Sequence, residues 1–178
     1  DDLGWKDTLG QELFTRRQKF YAKARGDGQV YTPQAVINGV GHLVGSDRSE
    51  IEQGLRKSAL PTTVSLSEQD GTLRIMLAAT TASIGDRPAG IWILPIARVV
   101  VVPIGRGENE GRTVSYANVV RTMVRIGDWD GKEATVTAPL AATRAAGADA
   151  YVVLVQVERS GKYGVMPGAI LAAARSPR

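Results

Sequence analysis

The sequence predicts a chain in two parts, an α/β unit over residues 1–60 and an antiparallel β-sandwich over residues 61–178. Three observations predict it. Val30–Asp47 (VYTPQAVINGVGHLVGSD) reads as strand, tight turn, strand and helix cap. The hydrophobic period changes after Leu60-Pro61, from helical spacing to alternation. Beyond that point short apolar-alternating runs are separated by Gly, Asp, Asn and Pro, the punctuation of an antiparallel sandwich.

Composition sets wide limits. The chain has 178 residues, 43% of them hydrophobic, enough for one large or two small domains each with a core. No apolar run approaches the ~20 residues of a membrane helix; the longest, Ile91–Ile104, is broken by Pro95, Arg98 and Pro103. The absence of cysteine excludes disulfides and thiol chemistry within these residues. A net charge of +4 is mild. The chain opens on Asp1-Asp2 with no initiator Met and no signal peptide, as a processed or fragmentary product does.

In the first part a helix is expected after Trp5, capped by Thr8 with Gln11 at capping-box spacing or by Asp7. Leu9, Leu13, Phe20 and Ala24 would form its apolar face, interrupted by Arg17, and Gly26 and Gly28 would stop it. Arg16, Arg17, Lys19, Lys23 and Arg25 make it basic, with Phe14, Phe20 and Tyr21 interleaved. That reads as a solvated face over an aromatic contact, and no nucleic acid is expected. Ala35–Ile37 suits a buried strand. Asn38-Gly39 is the strongest short hairpin signal, because both residues tolerate positive φ. Val40–Val44 returns, and Asp47 with Glu50 starts a helix over about Arg48–Ser58. Strand, tight turn, strand and helix is the closing half of a thioredoxin-type domain, so residues 1–60 are expected to be the C-terminal part of one.

In the second part Thr62–Ser67 and Thr72–Ala78 flank a turn at Gln69-Asp70-Gly71. Thr80–Pro88 reads as a loop. Ile91–Leu94 and Arg98–Val102 are one strand or two, since a central proline removes a ladder donor. Thr113–Ile126 fits helix or strand by spacing, and its β-branched residues favour strand. Tyr116, Val120, Val124, Val153 and Val155 are expected to point inward. Glu133–Ala138 and Tyr151–Val157 are further strands, Leu140–Ala146 is a helical turn or loop, and Ser160-Gly161 leads to Ala169–Ala174.

Motifs with chemistry are few. Gly105–Thr113 (GRGENEGRT) is short of a phosphate loop. Counting back from Gly111, the first glycine would fall at Arg106, the lysine is replaced by Arg112, and Glu108 and Glu110 repel phosphate. Arg106 and Arg112 are instead candidates for binding a carboxylate anion, as guanidinium forks do. His42, the one histidine, has no nucleophile motif or ligand cluster around it. No metal, cofactor or catalytic residue is expected.

Asp2–Asp7 (DLGWKD), Phe14–Tyr21 (FTRRQKFY), Tyr31–Gln34 (YTPQ), Gly107–Arg112 (GENEGR), Asn118–Arg121 (NVVR) and Ile170–Ala174 (ILAAA) together resemble one family. It is the bacterial secreted family catalogued as domain of unknown function 1223, built on a thioredoxin-like domain. The resemblance implies that an N-terminal strand and helix carrying a cysteine pair are missing here, and that the protein is periplasmic or secreted. It gives Thr32 and Pro33 a role, with a cis bond between them, in holding an extended polypeptide or thiol protein. Tyr31 and Gln34 flank that site, and Trp5 is a core anchor or part of its groove. Two functions follow as expectations: a thiol–disulfide or redox-linked protein when complete, or a non-catalytic binding module. The Gln34–Ile37 strand is expected to have an open edge through which the chain self-associates.

Overall fold

The structure, a computed structural model, describes residues 9–105, 110–162 and 164–177. The first helix, α1 (Glu12–Arg25), starts at an extended Gln11 that makes no side-chain cap bond. The expected caps, Asp7 and Thr8, lie outside the described residues. Glu12 in its first turn and Lys23 and Arg25 in its last complement the helix dipole. Gly26 ends it at φ 87°, donating its N–H to Ala22 and Lys23 carbonyls. Its buried face is Tyr21 and Ala22. Leu13 is 47% exposed, so the expected Leu9–Leu13–Phe20–Ala24 face is not the one that docks.

Two short strands follow, β1 (Gln34–Ile37) and β2 (Gly41–Val44), paired from Gln34↔Val44 to Ile37↔Gly41. Asn38 and Gly39 take φ 46° and 75°, and Val40 N–H reaches Ile37 O at 3.1 Å, closing the mirror-image turn that Asn-Gly favours. A Cβ at residue 39 would run into the Gly168 carbonyl, so glycine is needed for close docking as well as for the turn. The Thr32–Pro33 bond is cis. Asp47 accepts the Glu50 N–H at 2.9 Å and opens α2 (Arg48–Arg56).

The rest is antiparallel sheet. β3 (Val64–Gln69) and β4 (Thr72–Leu77) meet at an Asp70-Gly71 turn, and β8 (Ala134–Pro139) joins β4 to complete three strands. β5 (Ala89–Pro103) is the spine of a five-stranded sheet with β6 (Thr113–Val120), β7 (Val124–Trp129), β9 (Ala150–Gly161) and β10 (Gly164–Arg175). The strand predicted over Thr113–Ile126 is therefore present, broken at residues 121–123. β5 runs unbroken through Pro95. On one side β7 pairs with it up to Ile93 and β6 takes over from Ile96, so the proline falls in the gap between two neighbours. Pro95 O faces that gap and accepts the Arg121 N–H at 2.8 Å; the N–H that proline lacks would have pointed there too. A 3₁₀ turn, Leu140–Thr143, follows β8.

Leu73, Ile75, Ile91, Ile93, Val153 and Val155 are fully buried between the two sheets. Val153 and Val155 thus point inward as expected, Val120 and Val124 are half-buried, and Tyr116 is 37% exposed. The reason lies in β5. Its pairing with β9 ends at Ile96, while β6 runs on to Pro103, so the far half of the β5–β6 pair stands off the core.

The expected fold class is overturned. The described residues are mostly β, every strand pair is antiparallel, and the sheets form a half-barrel. This is not a thioredoxin-like α/β unit followed by a β-sandwich: the two sheets enclose one core as parts of the half-barrel. The β1–β2 hairpin is a two-stranded sheet of its own, and β1 has no second ladder partner among the described residues. Hairpin and capped helix are local signatures that do not choose a sheet to join. Here Asn38 O accepts the Ile170 N–H at 2.8 Å and the turn docks end-on against β10. The curvature comes from irregular register at Ile91/Trp92 and between Pro167 and Ala172, since bulges bend a strand. Thr62 N–H bonds Leu171 O at 3.2 Å, bridging towards the smaller sheet.

Candidate functional site

Alternation along β9 sends Val153, Val155 and Val157 into the core and Leu154, Gln156 and Glu158 to the opposite face. β5 does the same, with Gly90 and Trp92 on the side opposite Ile91 and Ile93; Gly90 pairs with Gln156 and Trp92 with Leu154. Helix α1 lies over this outer face. Between helix and sheet is a cleft of about 420 Å³. Leu13, Phe20, Met123, Val165 and Pro167 supply apolar walls, while Arg16, Arg17, Arg87 and Arg125 enter with Trp92, Gln156 and Glu158.

The polar floor is built with care. Glu158 is 3% exposed, and Arg125 clamps both its oxygens with Nε and Nη2 at 3.0 Å each. That fork is the geometry in which a guanidinium binds carboxylate best. Arg125 also reaches Asp128 at 2.6 Å, and Glu158 first, then Asp128, push the guanidinium pKa up. Arg87 Nη2 stands 3.7 Å from Glu158. Gln156, 1% exposed, donates to Tyr21 OH at 2.7 Å and Gly168 O at 2.8 Å and accepts from Arg17. Arg17 also donates to Tyr21 OH at 2.8 Å, and its guanidinium lies 5.0 Å from that ring's centre. These bonds hold α1 to the sheet. A Cβ at residue 90 would meet Glu158 Oε1 and lie 2.6 Å from Trp92 Nε1, so glycine leaves the space both groups occupy. Two donors of this floor, Arg87 Nε and Trp92 Nε1, are buried with no acceptor among the described residues, closed off from the cleft as from solvent.

A second polar node sits on the hairpin. His42 Nε2 is 3.2 Å from Asp27 Oδ2, and its Nδ1 is 3.0 Å from Tyr31 OH and 3.4 Å from Gln34 Nε2. Asp27 is gripped by Arg25 at 3.0 and 3.2 Å. Those bonds, then the Gln29 N–H, hold its carboxyl below the usual range.

The sequence candidates are scattered. Tyr31 and Gln34 converge on His42, whereas Thr32 and Pro33 are exposed beside them. None of these four lines the cleft. Arg112 is exposed at the start of β6, at the opposite end of β5 from Gly90, and its carbonyl accepts the Ile104 N–H at 2.8 Å. Arg106, the partner proposed for it, and Trp5 lie outside the described residues. No group of three metal-capable side chains occurs among the described residues. The cleft residues escaped sequence reasoning. The available signal was Gln156 and Glu158, two polar residues at period two within an otherwise apolar strand.

The cleft over a curved antiparallel sheet marks the chain as a β-rich protein with a site between its helix and its sheet. Residues 1–156 match the family model described as protein of unknown function DUF1223, and the chain belongs to that family. A crystal structure of protein AGR_C_4864 from Agrobacterium tumefaciens is similar, with a TM-score of 0.74 and 27% identity; the match covers 97% of this chain and 73% of that one. No curated protein matches the chain.

Proposed function

We propose that this chain is a non-catalytic binding module whose site is the cleft between α1 and the outer face of the five-stranded sheet. The observation that carries the reading is the cleft itself, about 420 Å³, with apolar walls of Leu13, Phe20, Met123 and Val165 and the guanidiniums of Arg17 and Arg87 in its lining. The volume falls in the range of small-molecule sites, ~300–1,000 Å³. Among the described residues the lining offers one carboxylate, already clamped by Arg125, and no hydroxyl, thiol, amine or imidazole, which favours binding over turnover.

A redox-linked role and a periplasmic or secreted location remain proposals resting on the family resemblance alone. With no cysteine among its 178 residues, this chain supplies no thiol to the first.

Titration with the neutral fluorescent probe N-phenyl-1-naphthylamine tests the binding reading. Saturable binding at one site is expected, together with its loss in Val165→Trp. Val165 lines the cleft yet is 43% exposed, so the larger side chain fills space without disturbing the core. Absence of saturable binding to the wild-type protein, or equal binding to Val165→Trp, would contradict it.

A further inference from the structure

The charge around the cleft narrows what it accepts. Among the described residues, four guanidiniums and one carboxylate belong to its lining. Arg16 is paired outside it with Glu12 at 3.0 Å, and Arg125 is held by Glu158 and Asp128 together. Among the described residues Arg87 has only a distant share of Glu158, at 3.7 Å, and a third of its side chain stays accessible in the lining of the cleft. Arg17 has neutral partners, Gln156 Oε1 and Tyr21 OH. Among the described residues about one positive charge is therefore uncompensated, and it sits beside Leu13, Phe20, Met123 and Val165.

We propose that the cleft takes an amphipathic monocarboxylate, its carboxylate received by Arg17 and Arg87 and its apolar body laid along Leu13, Phe20, Met123 and Val165. This rests on the cleft being the binding site. A guanidinium donates along two parallel directions and matches a carboxylate better than any neutral head group. One negative charge balances the local surplus. A phosphate monoester carries about −1.5 to −2 near neutral pH, more than the surplus, and would meet the buried Glu158. The apolar tail gains from burial at roughly 25 cal/mol per Å².

The test compares four ten-carbon ligands on the wild-type protein by calorimetry and by displacement of the neutral probe: decanoate, decanol, decylamine and decyl phosphate. Decanoate is expected to bind at least tenfold more tightly than the other three. Arg17→Gln and, separately, Arg87→Gln are expected to shrink the preference for decanoate over decanol about tenfold, with melting temperatures recorded to show that both variants fold. If decanol binds as tightly as decanoate, the cleft is a binding site but the anion assignment is wrong. Tighter binding of decyl phosphate overturns the monocarboxylate in favour of a dianion, and tighter binding of decylamine overturns the choice of sign. If neither probe nor ligand binds saturably, the binding reading fails and takes this inference with it.

Discussion

At the scale of single residues, the site depends on one absent side chain. Gly90 leaves room for the Glu158 carboxylate and the Trp92 indole nitrogen. Gly90→Ala should destabilise the protein by about 1–3 kcal/mol, the usual cost of overpacking, and should weaken probe binding; chemical denaturation and probe titration measure the two effects. An unchanged midpoint would mean that Glu158 moves aside freely. Asp27 makes a different prediction. Its bonds to Arg25 lower its pKa, so its contribution to stability is present above the unfolded-state value and is lost as pH falls through the folded one. A side-chain carbonyl titration by NMR should place its midpoint below 3.8, and Arg25→Gln should raise it. Neither residue could be chosen from the sequence, where Gly90 is one of 20 glycines and the partner of Asp27 lies in a tertiary contact as well as two residues away.

At the scale of elements, local chemistry was readable and pairing was not. The Asn38-Gly39 turn, the Asp47 cap, the Gly26 stop and the Asp70-Gly71 hairpin all follow from residues within one turn of one another. Which face of a strand is buried depends instead on neighbours far along the chain. Val99 and Val155 are both strand valines, yet Val99 is 65% exposed and Val155 fully buried, because β9 accompanies only the first half of β5. Val155→Asp should cost more than about 4 kcal/mol, as a buried unpaired charge does. Val99→Asp should cost under about 1 kcal/mol. Comparable losses in urea melts would contradict the assignment of the core to the first half of β5. The docking face of α1 was misread for the same reason. Its contact runs through Tyr21 and Arg17 to Gln156, a polar anchor that an apolar periodicity does not register.

At the scale of the whole molecule, the family was legible from dispersed motifs, whereas the fold class drawn from the first 60 residues was not. A hairpin followed by a capped helix is compatible with several architectures. The bends that curl this sheet arise at irregular register positions that have no sequence mark of their own. The cleft belongs to this scale too, since its walls come from α1, β5, β7, β9, β10 and the loops beside them. The central claim, that a monocarboxylate binds in the cleft between α1 and the sheet, is tested most directly by the Trp92 indole N–H resonance during titration with decanoate, because Trp92 belongs to the lining. The account predicts a progressive shift that saturates with the calorimetric isotherm, while the Trp129 indole, bonded to Lys132 O at 2.6 Å, stays in place. Saturable binding that leaves the Trp92 resonance unmoved would contradict it.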